Sequence, residues 1–303
     1  MKRAFKQVDV FGATPYFGNP LAVVLDGTGL SDAEMQHFAQ WTNLSETCFV
    51  LPPSEPVADY GVRIFTPGGE LPFAGHPTLG TCHAWLEAGG VAQAKDHVLQ
   101  QCRYGLVKIR RDGTRLAFAA PALQRSAASA ELLHAVAAAL GLDARRIVAA
   151  QQLDNGPQWL GLLLDSADTV LQLEPDHAAL KALGQKVGVA ALSGAHAVAL
   201  IARSNREARA FGERSERAEA TEPDLQVRAF AAPVGVNEDP VTGSLNAALA
   251  QWLIADGHLP ERYLAAQGVC LGRDGRVHIE RDASGQVWVG GDVVTCVDGA
   301  VQL

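Results

Sequence analysis

The 303-residue sequence predicts an α+β protein built from two similar halves. Short apolar stretches separated by Gly, Pro and Asp turns predict strands, and two helical segments each follow a polar signature. The same order of elements recurs in the second half, which is typical of an internal duplication. The predicted halves span residues 1–122 and 123–303, with the last strand as a candidate for packing back on the first half.

Six stretches of the first half are apolar or alternate between apolar and polar residues, as β-strands do. They are Val8–Phe11, Leu21–Leu25, Thr47–Leu51, Val62–Phe65, Val107–Arg110 and Leu116–Ala119.

Two helices are predicted among these strands. Ser31 caps the first, which runs to Trp41, and Glu34 completes a capping box. Pro77 suits the first residue of the second helix, which runs to Glu87, because its missing N–H would be unpaired there anyway.

The second half repeats this style of helices and short strands. Helices are expected near Ala130–Leu140 and over Val241–Ala255, and strands at Trp159–Leu164, Ala197–Ala202, Gln226–Phe230 and on to the C-terminus. The charged stretch 203–224, which has few apolar residues, is expected to be a solvated loop.

The two halves can be matched residue by residue. Val62–Pro67 resembles Val227–Pro233 with one residue inserted, and a shift of 163 residues then places His76 on Asp239 and "HPTLG" on "DPVTG". Each half therefore reads strand, loop and helix, with the polar signature at the helix N-terminus.

Composition excludes several classes of function. The net charge of −8 and the lack of a basic stripe argue against a nucleic-acid partner. No apolar run is long enough to span a membrane, and Met1–Gln7 leads directly into a strand pattern without the apolar region of a signal peptide, so we expect a cytoplasmic protein. The five cysteines are scattered, and no metal-ligand spacing or dinucleotide, triphosphate or serine-hydrolase motif is present, so the sequence predicts no metal and no cofactor.

The N-termini of the two signature helices are candidate anion sites. The first N–H groups of a helix are unpaired and carry the positive end of its dipole, so two facing helix ends could hold a carboxylate. Gly75 and Gly243 would let a ligand approach the backbone closely, and nearby hydroxyls could donate hydrogen bonds. These hydroxyls belong to Thr78, Thr81, Thr242 and Ser244. Ordinary helix capping is the alternative interpretation.

Two titratable residues belong to these signatures. We expect the helix dipole to lower the pKa values of His76 and Asp239, which would keep the imidazole neutral and the carboxylate ionised near pH 7. Such a pair could pass protons. A histidine packed in the core is the simpler alternative for His76.

A third candidate lies on a strand that is apolar on both faces. Glu46 shares a face with Cys48 and Val50, and burial there would raise its pKa toward neutrality, as a general acid/base requires. The alternative is a solvated glutamate at the strand entrance. Asn19 precedes another strand, and turn chemistry alone would explain it.

Together these segments resemble the PhzF family of phenazine-biosynthesis-like isomerases. The resemblance rests on "DVF" at Asp9, "GNPLAVV" at Gly18, "NLSET" at Asn43, "RIFTP" at Arg63, "GHPTLG" at Gly75 and "EDPVTGS" at Glu238. These motifs occur in the family's order from Asp9 to Ser244, nearly the whole chain.

The resemblance implies a fold similar to that of diaminopimelate epimerase, in which each pseudo-symmetric half wraps a β-barrel-like sheet around a central helix. It also implies a homodimeric isomerase that needs no cofactor and moves a proton on a small carboxylate-bearing substrate, similar to trans-2,3-dihydro-3-hydroxyanthranilate isomerase. The family's general acid/base falls on Glu46, with supporting residues at His76 and Asp239. Its substrate-contacting positions fall on Asn19, Gly75, Gly243 and Ser244.

Two other functions remain open at this point. An amino-acid or hydroxy-acid epimerase could use the same scaffold, although related epimerases carry a cysteine at each helix N-terminus and neither helix has one here. A non-catalytic binder of small acids is the second alternative. Leu245 departs from the small residue expected after Gly-Ser in this family, and a leucine there could narrow the cleft.

Overall fold

The structure is a computed structural model that describes residues 1–113, 115–194 and 222–303. The strand expected at Ala197–Ala202 and most of the expected loop 203–224 lie outside these residues.

Eighteen strands and six α-helices are present in the described ranges. The strands are β1 (Lys2–Val10), β2 (Asn19–Val24), β3 (Glu46–Leu51), β4 (Tyr60–Thr66), β5 (Gly69–Leu71), β6 (His97–Cys102), β7 (Gly105–Asp112), β8 (Arg115–Ala119), β9 (Gln124–Ser126), β10 (Ile147–Asp154), β11 (Gln158–Leu164), β12 (Val187–Leu192), β13 (Leu225–Ala231), β14 (Val236–Asp239), β15 (Arg262–Gln267), β16 (Gly275–Arg281), β17 (Val287–Gly291) and β18 (Val293–Gln302). The helices are α1 (Asp32–Thr42), α2 (Gly75–Glu87), α3 (Ala130–Ala139), α4 (Ala167–Leu171), α5 (His177–Leu183) and α6 (Gly243–Ala255).

The strands form one sheet in which both halves follow the same path. In the first half the neighbours are β1, β2, β3, β4, β6, β7 and β8, and in the second they are β10, β11, β12, β13, β15, β16 and β17. The second and third strands of each run pair in parallel, as do the fourth and fifth. The duplicated α+β architecture is therefore confirmed.

Two kinds of pairing tie the halves together. Strand β8 pairs with β17, so within the described residues the sheet continues into the other half instead of closing into a barrel. Strand β18 runs antiparallel along the whole of β1, and β9 pairs antiparallel with the last three residues of β10. The edge strand of the first half is therefore β18, which follows the second half in sequence. The edge strand of the second half is β9, which follows the first half in sequence. The boundary at residue 122 stays a prediction.

One helix lies inside the sheet of each half. Helix α2 packs against β1, β2, β3 and β8, and helix α6 packs against β10, β16 and β17. Nearly all of α6 is buried, as suits a helix that is apolar on all sides. Helix α2 also buries hydroxyl groups, which need hydrogen-bond partners in the core. The Thr78 hydroxyl donates to the Ala74 carbonyl at 2.9 Å and accepts from Gln100 Nε2 at 3.1 Å.

Strand β3 is covered on both faces, as its sequence predicts. Cys48 and Val50 belong to the main core, whereas Phe49 packs with Phe38 of α1 and Phe65 of β4. Glu46, the first residue of the strand, is thereby directed toward the core side where α2 lies.

The duplication extends to a matched pair of ion pairs. Arg63 binds both carboxylate oxygens of Glu70 at 2.8 Å, and Arg228 binds both oxygens of Glu238 at 2.9 Å. Each arginine lies on the strand that precedes a central helix, and each glutamate lies in the segment that leads into that helix. The two pairs therefore fix the approach to each helix N-terminus, with geometry that only a bidentate guanidinium provides.

None of the helices in the part of the chain that the structure describes is both long and apolar enough to cross a membrane.

Candidate active site

The N-termini of the two central helices meet at the junction of the halves. Gly75 and Gly243 are the first residues of α2 and α6. A Cβ added at either glycine would lie 3.0 Å from the Cα of the other, which is closer than side chains normally pack. The facing helix ends predicted from the sequence are therefore present, and both glycines are required for their approach.

These two helices lack the side-chain caps that the others have. In α1, α3, α4 and α5 a residue just before the helix accepts a hydrogen bond from a first-turn amide, through Ser31, Ser129, Ser166 and Asp176. The N-cap residues of α2 and α6, Ala74 and Thr242, accept none. The signature residues are therefore not ordinary caps, and the first amides of both helices remain available to an anion.

Asn19 connects the two halves at this junction. Its Nδ2 donates to Asp239 Oδ1 and to the Val241 carbonyl, both at 2.9 Å, and its Oδ1 accepts from Ser45 Oγ at 3.3 Å. The side chain is fully buried. Turn chemistry does not explain these contacts. Asn19 instead fixes the position of Asp239 relative to the first half.

His76 lies between Asn19 and Glu46. Its Nδ1 is 3.4 Å from Asn19 Nδ2, and its Nε2 is 3.4 Å from Glu46 Oε2. An amide nitrogen offers only hydrogens, which favours the tautomer with its proton on Nε2, facing Glu46. Both Nε2 and Oε2 are buried, yet within the described chain neither has a hydrogen-bond partner. Such unpaired atoms are costly and suit a site completed by a ligand.

Asp239 has both carboxylate oxygens engaged. Oδ1 accepts from Asn19, and Oδ2 accepts from the Thr242 hydroxyl at 2.6 Å. Gln267, at the end of β15, donates to the Asp239 carbonyl and to Thr242 Oγ1, both at 2.9 Å, and accepts from the Thr242 amide at 3.0 Å. Sequence reasoning missed Gln267, because its full burial is visible only in the structure.

Burial sets the pKa values of the two carboxyl groups. Loss of hydration, and then the negative charge of Asp239, raise the pKa of Glu46 to about 8, against a smaller opposing effect of the Ser45 hydroxyl. Loss of hydration likewise raises the pKa of Asp239 to about 6, although the hydrogen bonds from Thr242 and Asn19 lower it in part. Near pH 7 the pair therefore shares one proton, held mainly by Glu46.

The expected effect of the helix dipole was wrong for Asp239. The pKa of this carboxyl rises because burial outweighs the dipole, and because Asp239 lies four residues before α6 begins. His76 is the second residue of α2, and its pKa falls to about 3, but burial is the cause. The imidazole is therefore neutral at physiological pH.

The Asp239→Asn variant should lower the pKa of Glu46, because it removes the negative charge that helps to keep the Glu46 proton in place. The pKa should still stay above its usual value of 4.5, since loss of hydration is the larger cause. Carbon-13 NMR titration of the carboxyl groups measures this, with Glu46→Gln identifying the resonance and exposed Glu131→Gln as the control. A Glu46 pKa that stays the same or rises would contradict the coupling.

Ser244 and Leu245 face different surroundings. Ser244 accepts from Trp159 Nε1 at 3.3 Å through its hydroxyl and from Asn155 Nδ2 at 2.8 Å through its carbonyl. Leu245 packs against Gly188 of β12, where an added Cβ would lie only 2.3 Å from its Cδ1. Leu245 therefore does not narrow the cleft, because its side chain fills the core of the second half.

The cysteines near the site are buried thiols. Loss of hydration raises the pKa of Cys48 well above its usual value and that of Cys82 to about 12, so both remain protonated at neutral pH. In the three described ranges, no three His, Cys, Asp or Glu side chains are grouped so as to hold a metal ion.

Known proteins resemble this chain over nearly its whole length. The family model PhzC-PhzF, described as "Phenazine biosynthesis-like protein", matches residues 8–299. "Antisense-enhancing sequence 1" of Schizosaccharomyces pombe is 34% identical over 315 residues. "Trans-2,3-dihydro-3-hydroxyanthranilate isomerase" of Pseudomonas aeruginosa is 33% identical over 309 residues. Each alignment covers 98% of both chains.

Solved structures agree with this relationship. A phenazine biosynthesis protein of the PhzF family from Enterococcus faecalis superposes with a TM-score of 0.76 at 26% identity, over 100% of both chains. A hydroxyproline epimerase from Agrobacterium vitis, at 14% identity, shares the fold with a TM-score of 0.56 over 99% of this chain and 92% of its own. The chain belongs to the PhzF family of phenazine biosynthesis-like proteins and is an isomerase with that family's epimerase-like fold.

Proposed function

We propose that the protein shifts a proton between two carbons of a small carboxylate-bearing substrate, similar to the substrate in the name of its Pseudomonas aeruginosa relative. The observation that carries the proposal is the cluster of Glu46, His76 and Asp239 at the facing helix N-termini, in which two carboxyl groups share one proton near neutral pH.

Glu46 is the group that exchanges the proton with substrate. Its Oε2 has no hydrogen-bond partner in the described chain, whereas both oxygens of Asp239 are engaged. A residue that both removes and returns a proton works best with a pKa near the operating pH, and Glu46 meets this condition. Near pH 7 it starts protonated, so it delivers this proton to one carbon, and the resulting carboxylate takes a proton from another carbon, which returns the enzyme to its initial state.

Asp239 and His76 support this exchange. The charge of Asp239 keeps the Glu46 proton exchangeable near neutrality, and the neutral imidazole of His76 directs Nε2 at Glu46. The amides of Gly75, Gly243 and Ser244 would bind the carboxylate and the electron-rich intermediate. Such donors need no reorganisation when charge develops, because the helices already fix their direction.

Proton exchange with solvent tests the proposal. Incubation of trans-2,3-dihydro-3-hydroxyanthranilate with the protein in deuterium oxide should give a product with a displaced double bond and deuterium at the new C–H position, observed by NMR. The rate should be highest between about pH 6 and 8, where Asp239 is ionised and Glu46 is protonated. Inversion without movement of a double bond would indicate an epimerase, and binding without any exchange would indicate a non-catalytic binder.

A further inference from the structure

The duplication places a lysine where the first half has its acid/base glutamate. Thr47 of β3 pairs with Phe65, and Val187 of β12 pairs with Phe230, the equivalent phenylalanine of the second half. The residue before Thr47 is Glu46, and the residue before Val187 is Lys186. The two halves therefore bring an acidic and a basic side chain to equivalent positions beside the central helices.

Lys186 lies close to the N-terminus of α6. Its Nζ is 4.8 Å from the centre of the Trp159 ring, and Trp159 in turn donates to the Ser244 hydroxyl. The ammonium also attracts Asp154 and Asp239 electrostatically. Trp159 therefore contacts both the ammonium and the first turn of α6, which places the cation near that helix end.

The nearby carboxylates are engaged elsewhere. Asp154 accepts from the Gly156 amide and from Gln158 Nε2, both at 3.0 Å, and Asp239 is held by Asn19 and Thr242 as described above. Within the described ranges no carboxylate forms an ion pair with Lys186. The ammonium is half-buried, so its charge is only partly screened by water.

We propose that Lys186 binds the carboxylate of the substrate, together with the amides at the N-terminus of α6, and so sets how the substrate faces Glu46. This inference rests on the proposed function for the identity of the anion. A charge-assisted hydrogen bond of this kind commonly contributes about 1.5–3 kcal/mol, which corresponds to roughly ten- to hundredfold in affinity.

Binding of anthranilate and of aniline, which lacks the carboxylate, separates the charge contact from contacts with the ring. Isothermal titration of the full chain should show anthranilate binding that weakens at least about tenfold in Lys186→Met and recovers to within a few-fold of wild type in Lys186→Arg. Binding of aniline should be equal in all three proteins. Lys181→Met, which removes an exposed lysine of α5, is the matched control for net charge and should bind anthranilate like the wild type.

Unchanged anthranilate affinity in Lys186→Met would overturn the inference, as would an equal loss for aniline or a failure of the wild-type protein to bind anthranilate. Thermal unfolding of each variant checks that the contact with Trp159 is not needed for the fold. The titration involves no proton transfer. If the protein binds anthranilate through Lys186 but exchanges no substrate proton, the isomerase proposal fails while this inference stands.

Discussion

Replacement of Glu46 by glutamine should lower turnover by about 10²–10⁴-fold and leave the fold intact. The amide keeps the size of the side chain and its place beside His76 but can neither remove a proton from carbon nor return one. Steady-state rates of wild type, Glu46→Gln and the exposed control Glu131→Gln provide the comparison. Turnover within a few-fold of wild type in Glu46→Gln would exclude Glu46 as the acid/base.

The same variant reports on burial through its stability. The pKa of Glu46 is 4.5 in the unfolded chain and about 8 in the folded chain. Below pH 4.5 the carboxyl is protonated in both the folded and the unfolded chain, so its ionisation does not lower the stability. As the pH rises toward 8, only the unfolded chain releases this proton. Each pH unit therefore lowers the free energy of unfolding of the wild type by up to about 1.4 kcal/mol. Urea unfolding should therefore show Glu46→Gln gaining stability over wild type from pH 4.5 to 8.

The sequence was sufficient to predict elements whose pattern is local. The capping box of Ser31 and Glu34 forms as predicted, with the Ser31 side chain accepting from the Glu34 amide. Strand β3 could be recognised because apolar residues occupy both of its faces. Such signals depend only on neighbouring residues, so one sequence contains them in full.

The register between the halves was less predictable. The sequence match placed His76 on Asp239, but the structure makes Gly75 and Gly243 equivalent, since these glycines begin α2 and α6 and contact each other. The segments that lead into the two helices differ in length, so the register of the preceding strands, in which Phe65 matches Phe230, does not continue into the helices, and the shift of 163 residues fits neither the strands nor the helix starts. Asp239 therefore reaches the site from a strand end, and His76 from inside a helix.

The place of Lys186 beside Trp159 depended on a strand that the sequence did not reveal. The six residues of β12, Val187–Leu192, are all buried, and so short an apolar run has no periodicity that separates a strand from a helix. Without this strand, the equivalence of Lys186 and Glu46 was not visible. The hydrogen bonds of Gln267 were hidden for a similar reason, because they join segments that are distant along the chain.

Substitution of Gly243 by alanine should destabilise the protein by about 1–3 kcal/mol and lower turnover by about 10²-fold. The added Cβ would lie 3.0 Å from Gly75 Cα and 3.1 Å from the His76 amide nitrogen, so the two helix N-termini must move apart. Alanine favours helices by up to about 1 kcal/mol over glycine, but this gain is smaller than the cost of the clash. Separation of the helices would also displace His76 from Glu46 and spread the amides that bind the anion.

Gly299→Ala is the matched control, because a Cβ at Gly299 on β18 would meet no atom within 4 Å. That variant should stay within about 0.5 kcal/mol of wild type in urea unfolding and retain full turnover. Turnover must be compared without urea and at a temperature where both variants are fully folded. A loss of activity then reflects geometry and not unfolding. If Gly243→Ala were as stable and as active as the control, the helix N-termini could not be in the contact that positions Glu46, His76 and Asp239 around one substrate.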